Sequence, residues 1–122
     1  MEEFYAVPFE QRRSASAKML NKYPDKIPSI ICLHTADTND ICKKKHLISR
    51  ELTVRLLLKS IKERTKTDEN IAIYLIAETT TGAREKKQTL LSASQTIGEV
   101  YESCRSADGC LYIYYNKEQT FG

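Results

Sequence analysis

The sequence predicts an α+β fold of the β-grasp type: a four-stranded mixed sheet with a helical layer added by the N-terminal residues. Three observations predict it. Two apolar runs of strand length, Ile71–Ala77 and Cys110–Tyr115, contain no charge and need cover on both faces. The segment after Thr53 places Val54, Leu57, Leu58 and Ile61 at i, i+3, i+4 and i+7, one face of a helix that can cover the sheet from one side. Residues 1–26 are helix-prone but largely polar, which suits an outer layer on the other side.

Taken in order, Pro8 fits a first helical turn, and Phe9 to Tyr23 contains no breaker. Phe9, Met19, Leu20 and Tyr23 give only a sparse apolar stripe among Arg12, Arg13, Lys18 and Lys22. Pro24 disfavours helix at Tyr23 and ends the element. Ile27–Leu33 reads as a strand, with Pro28 placed at an edge or at the strand's start because it cannot donate to a ladder. Residues 34–42 cluster Asp and Asn as turns do, and Lys45–Ser49 returns as a second strand. Thr53 is a suitable N-cap for the next helix. Lys59, Lys62 and Arg64 then bias positive charge toward its C-terminal end. After Ile71–Ala77, residues 78–93 are polar, with three threonines in a row, Gly82 and Arg84-Glu85-Lys86-Lys87, and read as a long mobile loop. Thr96-Ile97-Gly98-Glu99 matches a capping box and predicts a short helix. Ser106–Gly109 turns the chain into the last strand, and Asn116–Gly122 reads as a polar, flexible tail. The domain description is therefore one unit: a helical extension at 1–26, a sheet core at 27–115 and a tail at 116–122.

The bulk numbers agree with this size. The chain has 122 residues, 41% apolar and 29% charged, and a net charge of +3. That charge is too mild to argue for nucleic acid. No apolar run approaches the ~20 residues that span a bilayer. The acidic start, Met1-Glu2-Glu3, lacks the apolar core of a signal peptide. A cytoplasmic protein with Cys32, Cys42, Cys104 and Cys110 as reduced thiols is expected. Cys32-x-His34 and Cys42-x-x-x-His46 fit no zinc-finger spacing, so neither a metal nor another cofactor is expected. Gly122 has two readings at this point. It is either simply where the chain stops, or an unbranched carboxyl terminus able to thread a narrow enzyme channel.

Several separated motifs carry a resemblance. Pro8-Phe9-Glu10-Gln11-Arg12-Arg13-Ser14 and Lys22-Tyr23-Pro24-Asp25-Lys26-Ile27-Pro28 come first. Lys43-Lys44-Lys45-His46-Leu47-Ile48 and Leu52-Thr53-Val54 follow, then Leu111-Tyr112-Ile113-x-Tyr115 and the closing Phe121-Gly122. In this order they resemble the autophagy ubiquitin-like modifiers, the GABARAP-like family, over nearly the whole chain except residues 78–93.

The resemblance implies a modifier and not an enzyme. Its terminal glycine, here Gly122 after the aromatic Phe121, would be activated and passed along the cysteines of activating and conjugating enzymes. It would then be joined to phosphatidylethanolamine on the autophagosomal membrane. A processing cysteine protease would recognise the same two residues; whether Gly122 is encoded last or exposed by cleavage stays open. The unconjugated protein would be a cytoplasmic monomer. The resemblance also implies capture of autophagy receptors bearing an aromatic-x-x-aliphatic motif, added as a strand to the edge Lys45–Ser49. Met19, Pro28, Lys45, Leu47 and Cys110 would line the aromatic pocket. His46, Ile48, Leu52, Leu57 and Ser60 would line the aliphatic one. Lys43, Lys45 and Arg64, with Lys26, would attract flanking acids. As members of such an edge, Leu47, Ile48 and Leu57 should be partly exposed. Cys110 stands where the family has a large aromatic, His46 where it has Tyr, Ser60 where it has an apolar residue, and Ala15 where it has an acid. An unconjugated peptide-binding adaptor, or a scaffold on the cytoskeleton through the basic N-terminal surface, is the alternative.

Overall fold

The computed structural model describes residues 2–33, 45–68, 70–81 and 85–118. A single helical turn, α1 (Glu2–Tyr5), precedes α2 (Phe9–Lys22). Pro8 occupies the N-cap position of α2, and its carbonyl accepts from the amides of Gln11 at 3.0 Å and Arg12 at 3.1 Å. Ser16 is the one residue of α2 that is fully buried, as the sparse apolar stripe anticipates. Tyr23 caps the helix end.

Five strands follow: β1 (Lys26–Leu33), β2 (Lys45–Ser49), β3 (Ala72–Thr81), β4 (Glu85–Leu90) and β5 (Leu111–Glu118). The order across the sheet is β2-β1-β5-β3-β4. β1 and β5 run parallel at the centre, with Ser29 opposite Leu111 and Leu33 opposite Tyr115, and the other neighbours are antiparallel. Pro28 lies one residue before the ladder to β5 begins, so its missing N–H removes no bond there. Two further helices, α3 (Val54–Arg64) and α4 (Ile97–Cys104), complete the elements among the described residues.

The ubiquitin-like β-grasp plan with its N-terminal helical layer is present, but among the described residues the sheet has five strands where four were expected. The long loop assigned to 78–93 is largely the hairpin of β3 and β4, with Ile76 opposite Leu90 and Thr81 opposite Glu85. Its threonines are β-branched and suit an extended backbone. β4, however, is exposed along nearly its whole length. A strand that buries neither face leaves no apolar alternation to detect. The tail also begins later than expected. Asn116, Lys117 and Glu118 continue β5, opposite Tyr74, Ile73 and Ala72. Phe121 and Gly122 lie outside the described residues.

The strand pleat separates two cores. On one face Ile27, Ile31, Ile48, Leu75, Leu111, Ile113 and Tyr115 pack with Val54, Leu57 and Ile61 of α3 and Ile97, Val100 and Tyr101 of α4. On the other, Ile30, Cys32, Cys110 and Tyr112 are covered by Phe4 and Tyr5 of α1. Each fully buried Leu or Ile contributes roughly 1.5–3 kcal/mol. Polar contacts fasten the helical layer to this second face. The Tyr5 hydroxyl donates to Glu78 at 2.8 Å, and Arg12 pairs with Asp108 at 2.9 Å. Asp108 also accepts from the Tyr112 hydroxyl. The Tyr5 and Tyr112 rings lie 4.8 Å apart.

The cysteines depart from the uniform reduced set expected. Cys104 and Cys110 are free and buried, whereas Cys32 is disulfide-bonded. The expectation rested on compartment alone, and bonding depends on which thiols the folded backbone brings together.

Candidate peptide-binding edge

β2 is the edge strand of the sheet, with no further strand beyond it among the described residues. Its pleat sends His46 and Ile48 toward α3, and Lys45 and Leu47 to the opposite face. On that opposite face Leu47 stands across from Pro28, and Lys45 across from Ile30. Cys110 lies just before β5, and its thiol donates to the Pro28 carbonyl at 3.4 Å. Burial, with the nearby Asp108 charge second, pushes the Cys110 thiol up to about 12, while Lys45 pulls weakly the other way. Pro28, Lys45, Leu47 and Cys110 are thus neighbours, with Leu47 38% exposed and Cys110 2% exposed. Met19 lines a hollow of about 450 Å³ along α2, beside Ala15 and Lys18.

The five residues assigned to the aliphatic pocket come together. His46, Ile48, Leu52, Leu57 and Ser60 all line one cavity of about 260 Å³ between β2 and α3. Arg64 lines it as well. Ile31, Ser49 and Ile61 belong to the same wall and were not anticipated. The signal for two of them was available: Ile31 shares strand parity with Ile27, and Ile61 follows Leu57 by one helical turn. The expected partial exposure holds for Leu47 and fails for the other two residues. Ile48 is 7% exposed and Leu57 5%, because both form the cavity's apolar wall as part of the core. Lys26 is exposed at the start of β1, opposite Ser49, and Lys43 lies outside the described residues.

The arrangement offers an edge strand in β2, an apolar knob in Leu47, and a cavity apolar within and polar at His46, Ser60 and Arg64. An extended peptide could hydrogen-bond to the edge and place one side chain into the cavity. Among the described residues no group of three His, Cys, Asp or Glu could hold a metal ion.

Comparison with known proteins gives a consistent result. The family described as "Autophagy protein Atg8 ubiquitin like" matches residues 11–122. Autophagy-related protein 8a of Arabidopsis thaliana is 34% identical over 116 residues, covering 94% of this chain and 88% of that protein. Autophagy-related protein 8 of Schizosaccharomyces pombe is 35% identical over 117 residues, covering 93% and 88%. A crystal structure of Trypanosoma brucei ATG8 matches with a TM-score of 0.74 and 27% identity, covering 100% of this chain and 98% of that one. The chain belongs to the Atg8 family of ubiquitin-like autophagy proteins.

Proposed function

We propose that this protein is a modifier conjugated through Gly122 to phosphatidylethanolamine, and that on the autophagosomal membrane it recruits receptors carrying aromatic-x-x-aliphatic motifs. It is a substrate and not an enzyme in this pathway. The nucleophilic cysteines belong to the activating and conjugating enzymes, and to the processing protease that reads Phe121-Gly122. Before conjugation it is a cytoplasmic monomer. The observation that carries the reading is the edge position of β2 in the sheet of the described residues, above a cavity lined by His46, Ile48, Leu52, Leu57 and Ser60. The receptor's aliphatic side chain enters this cavity. Its aromatic packs at Leu47, Pro28 and Cys110, with Met19 at the rim. Lys26, Lys43, Lys45 and Arg64 attract flanking acids, each exposed pair contributing about 0.5–1 kcal/mol.

The test has two arms. With activating and conjugating enzymes, ATP and phosphatidylethanolamine liposomes, the wild type forms a lipid adduct that Gly122→Ala does not. In the second arm, Leu47→Arg abolishes binding of an aromatic-x-x-aliphatic peptide and leaves thermal unfolding unchanged, since Leu47 is not a core residue. Peptide binding without lipidation would favour the unconjugated adaptor. Unaltered affinity in Leu47→Arg would misplace the site.

A further inference from the structure

A second cleft, of about 550 Å³, opens between α2, the far end of β3, α4 and the turn that leads into β5. It shares no lining residue with the cavity at β2. Its volume is within the range of ligand sites. Arg13 on α2 and Arg105 at the end of α4 supply the positive charge, and Ala17 and Leu20 supply the accessible apolar wall, with the Tyr101 ring buried behind it.

Neither guanidinium is strongly committed within the molecule. Arg13 meets Glu10 at 3.8 Å, with both side chains well exposed, a pairing of little strength. Arg105 is exposed, lies 5.8 Å from the Tyr101 ring centroid, and has no carboxylate within ion-pair distance among the described residues. The lining carboxylate, Asp108, does not cancel them. It is buried, and its oxygens are taken by Arg12, the Tyr112 hydroxyl and the Cys110 amide. Thr80 adds a half-buried hydroxyl at the cleft wall. Two cations set around an apolar wall complement a ligand that alternates acidic and aliphatic side chains. A bare anion would use the arginines and leave the accessible apolar surface of Ala17 and Leu20 uncovered.

We propose that the cleft between α2 and α4 is a second docking site, for a short acidic peptide segment of a partner protein that places carboxylates on Arg13 and Arg105 and an aliphatic side chain on Ala17 and Leu20. It lets one molecule hold two partners, or two segments of one partner, at once.

The test follows backbone amides of the full chain by NMR during titration with an acetylated Glu-Leu-Glu-Leu-Glu peptide. Shifts are expected at Ala17, Thr80 and residues 105–109, and not in β2. Arg13→Glu combined with Arg105→Glu should weaken binding at least tenfold. A charge-matched pair on exposed positions of α3, Arg55→Glu with Lys59→Glu, should change it less than twofold. Both variants should keep the wild-type amide spectrum elsewhere, because all four side chains are exposed. Absence of shifts, shifts confined to another surface, or an equal loss in the α3 variant overturns the proposal. So does binding to phosphatidylserine vesicles that needs Arg13 and Arg105 while the peptide fails to bind, which would make the ligand a membrane.

Discussion

Cys110 shows what one residue can decide. A small thiol at this position donates to the Pro28 carbonyl and sits beneath the pair Pro28–Leu47. Its burial has a measurable consequence. The unfolded thiol ionises near its ordinary value of 9.0, and the folded one near 12. Below 9 both states keep the proton, so the folded state holds its full advantage. Between 9 and 12 only the unfolded chain ionises, and stability falls by up to ~1.4 kcal/mol per pH unit from this group. Cys110→Ala removes that loss. In urea unfolding the stability difference between wild type and Cys110→Ala should therefore shrink as pH rises from 9 toward 12. A constant difference would place the thiol outside the buried site. At this scale, the pocket residues were legible through ordered motifs such as Lys45-His46-Leu47-Ile48. Burial was not. Ile48 and Leu57 look identical in sequence whether they form the back wall or the rim of a pocket, and only their packing separates the two.

Among the elements, α3 and α4 begin as a joined pair. Thr53 caps α3 by accepting from the Leu56 amide at 3.2 Å, and Thr96 caps α4 by accepting from Glu99 at 3.2 Å. The two caps form a bridge to each other. Val54 donates to Gln95 and Ile97 to Leu52, both at 2.8 Å, and Gly98 donates to Arg50 at 2.9 Å. The segment leading into each helix thus accepts from first-turn amides of the other that would otherwise lack acceptors within their helix. Thr53→Ala and Thr96→Ala should each cost about 1 kcal/mol in chemical unfolding. Because the caps share one bridge, the double variant should depart from the sum by more than about 0.5 kcal/mol. Strict additivity would show that the helix starts are independent. Both caps were legible because a cap is written in four adjacent residues. β4 was not, because Glu85–Leu90 is a strand by virtue of its pairing with β3 and not through any apolar face of its own. For the same reason the end of β5 was hidden: Asn116 to Glu118 are polar residues held by their ladder to β3.

Across the whole molecule, the helical layer and the sheet are tied by contacts far apart in sequence. Tyr5 reaches Glu78, and Arg12 reaches Asp108. Lys86 of β4 lies 4.9 Å from the centre of the Tyr5 ring. Thus the hairpin absent from the four-stranded expectation helps to hold α1 over Ile30, Cys32 and Tyr112. Burial first, and the bond to Glu78 second, hold the Tyr5 phenol far above its ordinary range, so the bond persists through neutral pH. Tyr5→Phe leaves the Glu78 carboxylate, 5% exposed, without that donor. It should destabilise the fold by about 1–3 kcal/mol and raise hydrogen exchange at α1 and at Ile30–Cys32 before the rest of the sheet. Unchanged exchange there would mean that packing alone retains α1. No periodic pattern announces such pairs. The two-faced sheet was readable from its apolar runs, but the groups that lock its outer layer had to be seen together in space.

The position of β5 carries a mechanical consequence. It is bonded on both sides, to β1 through Ser29–Leu33 and to β3 through Ala72–Glu78. A load applied through the residues that follow Glu118 acts along this strand. It must shear two ladders at once, because no free edge of β5 allows the bonds to open one by one. Traction through the carboxyl end therefore meets both ladders together, and α1, stacked through Tyr5 on Tyr112 of β5, rides on the same strand.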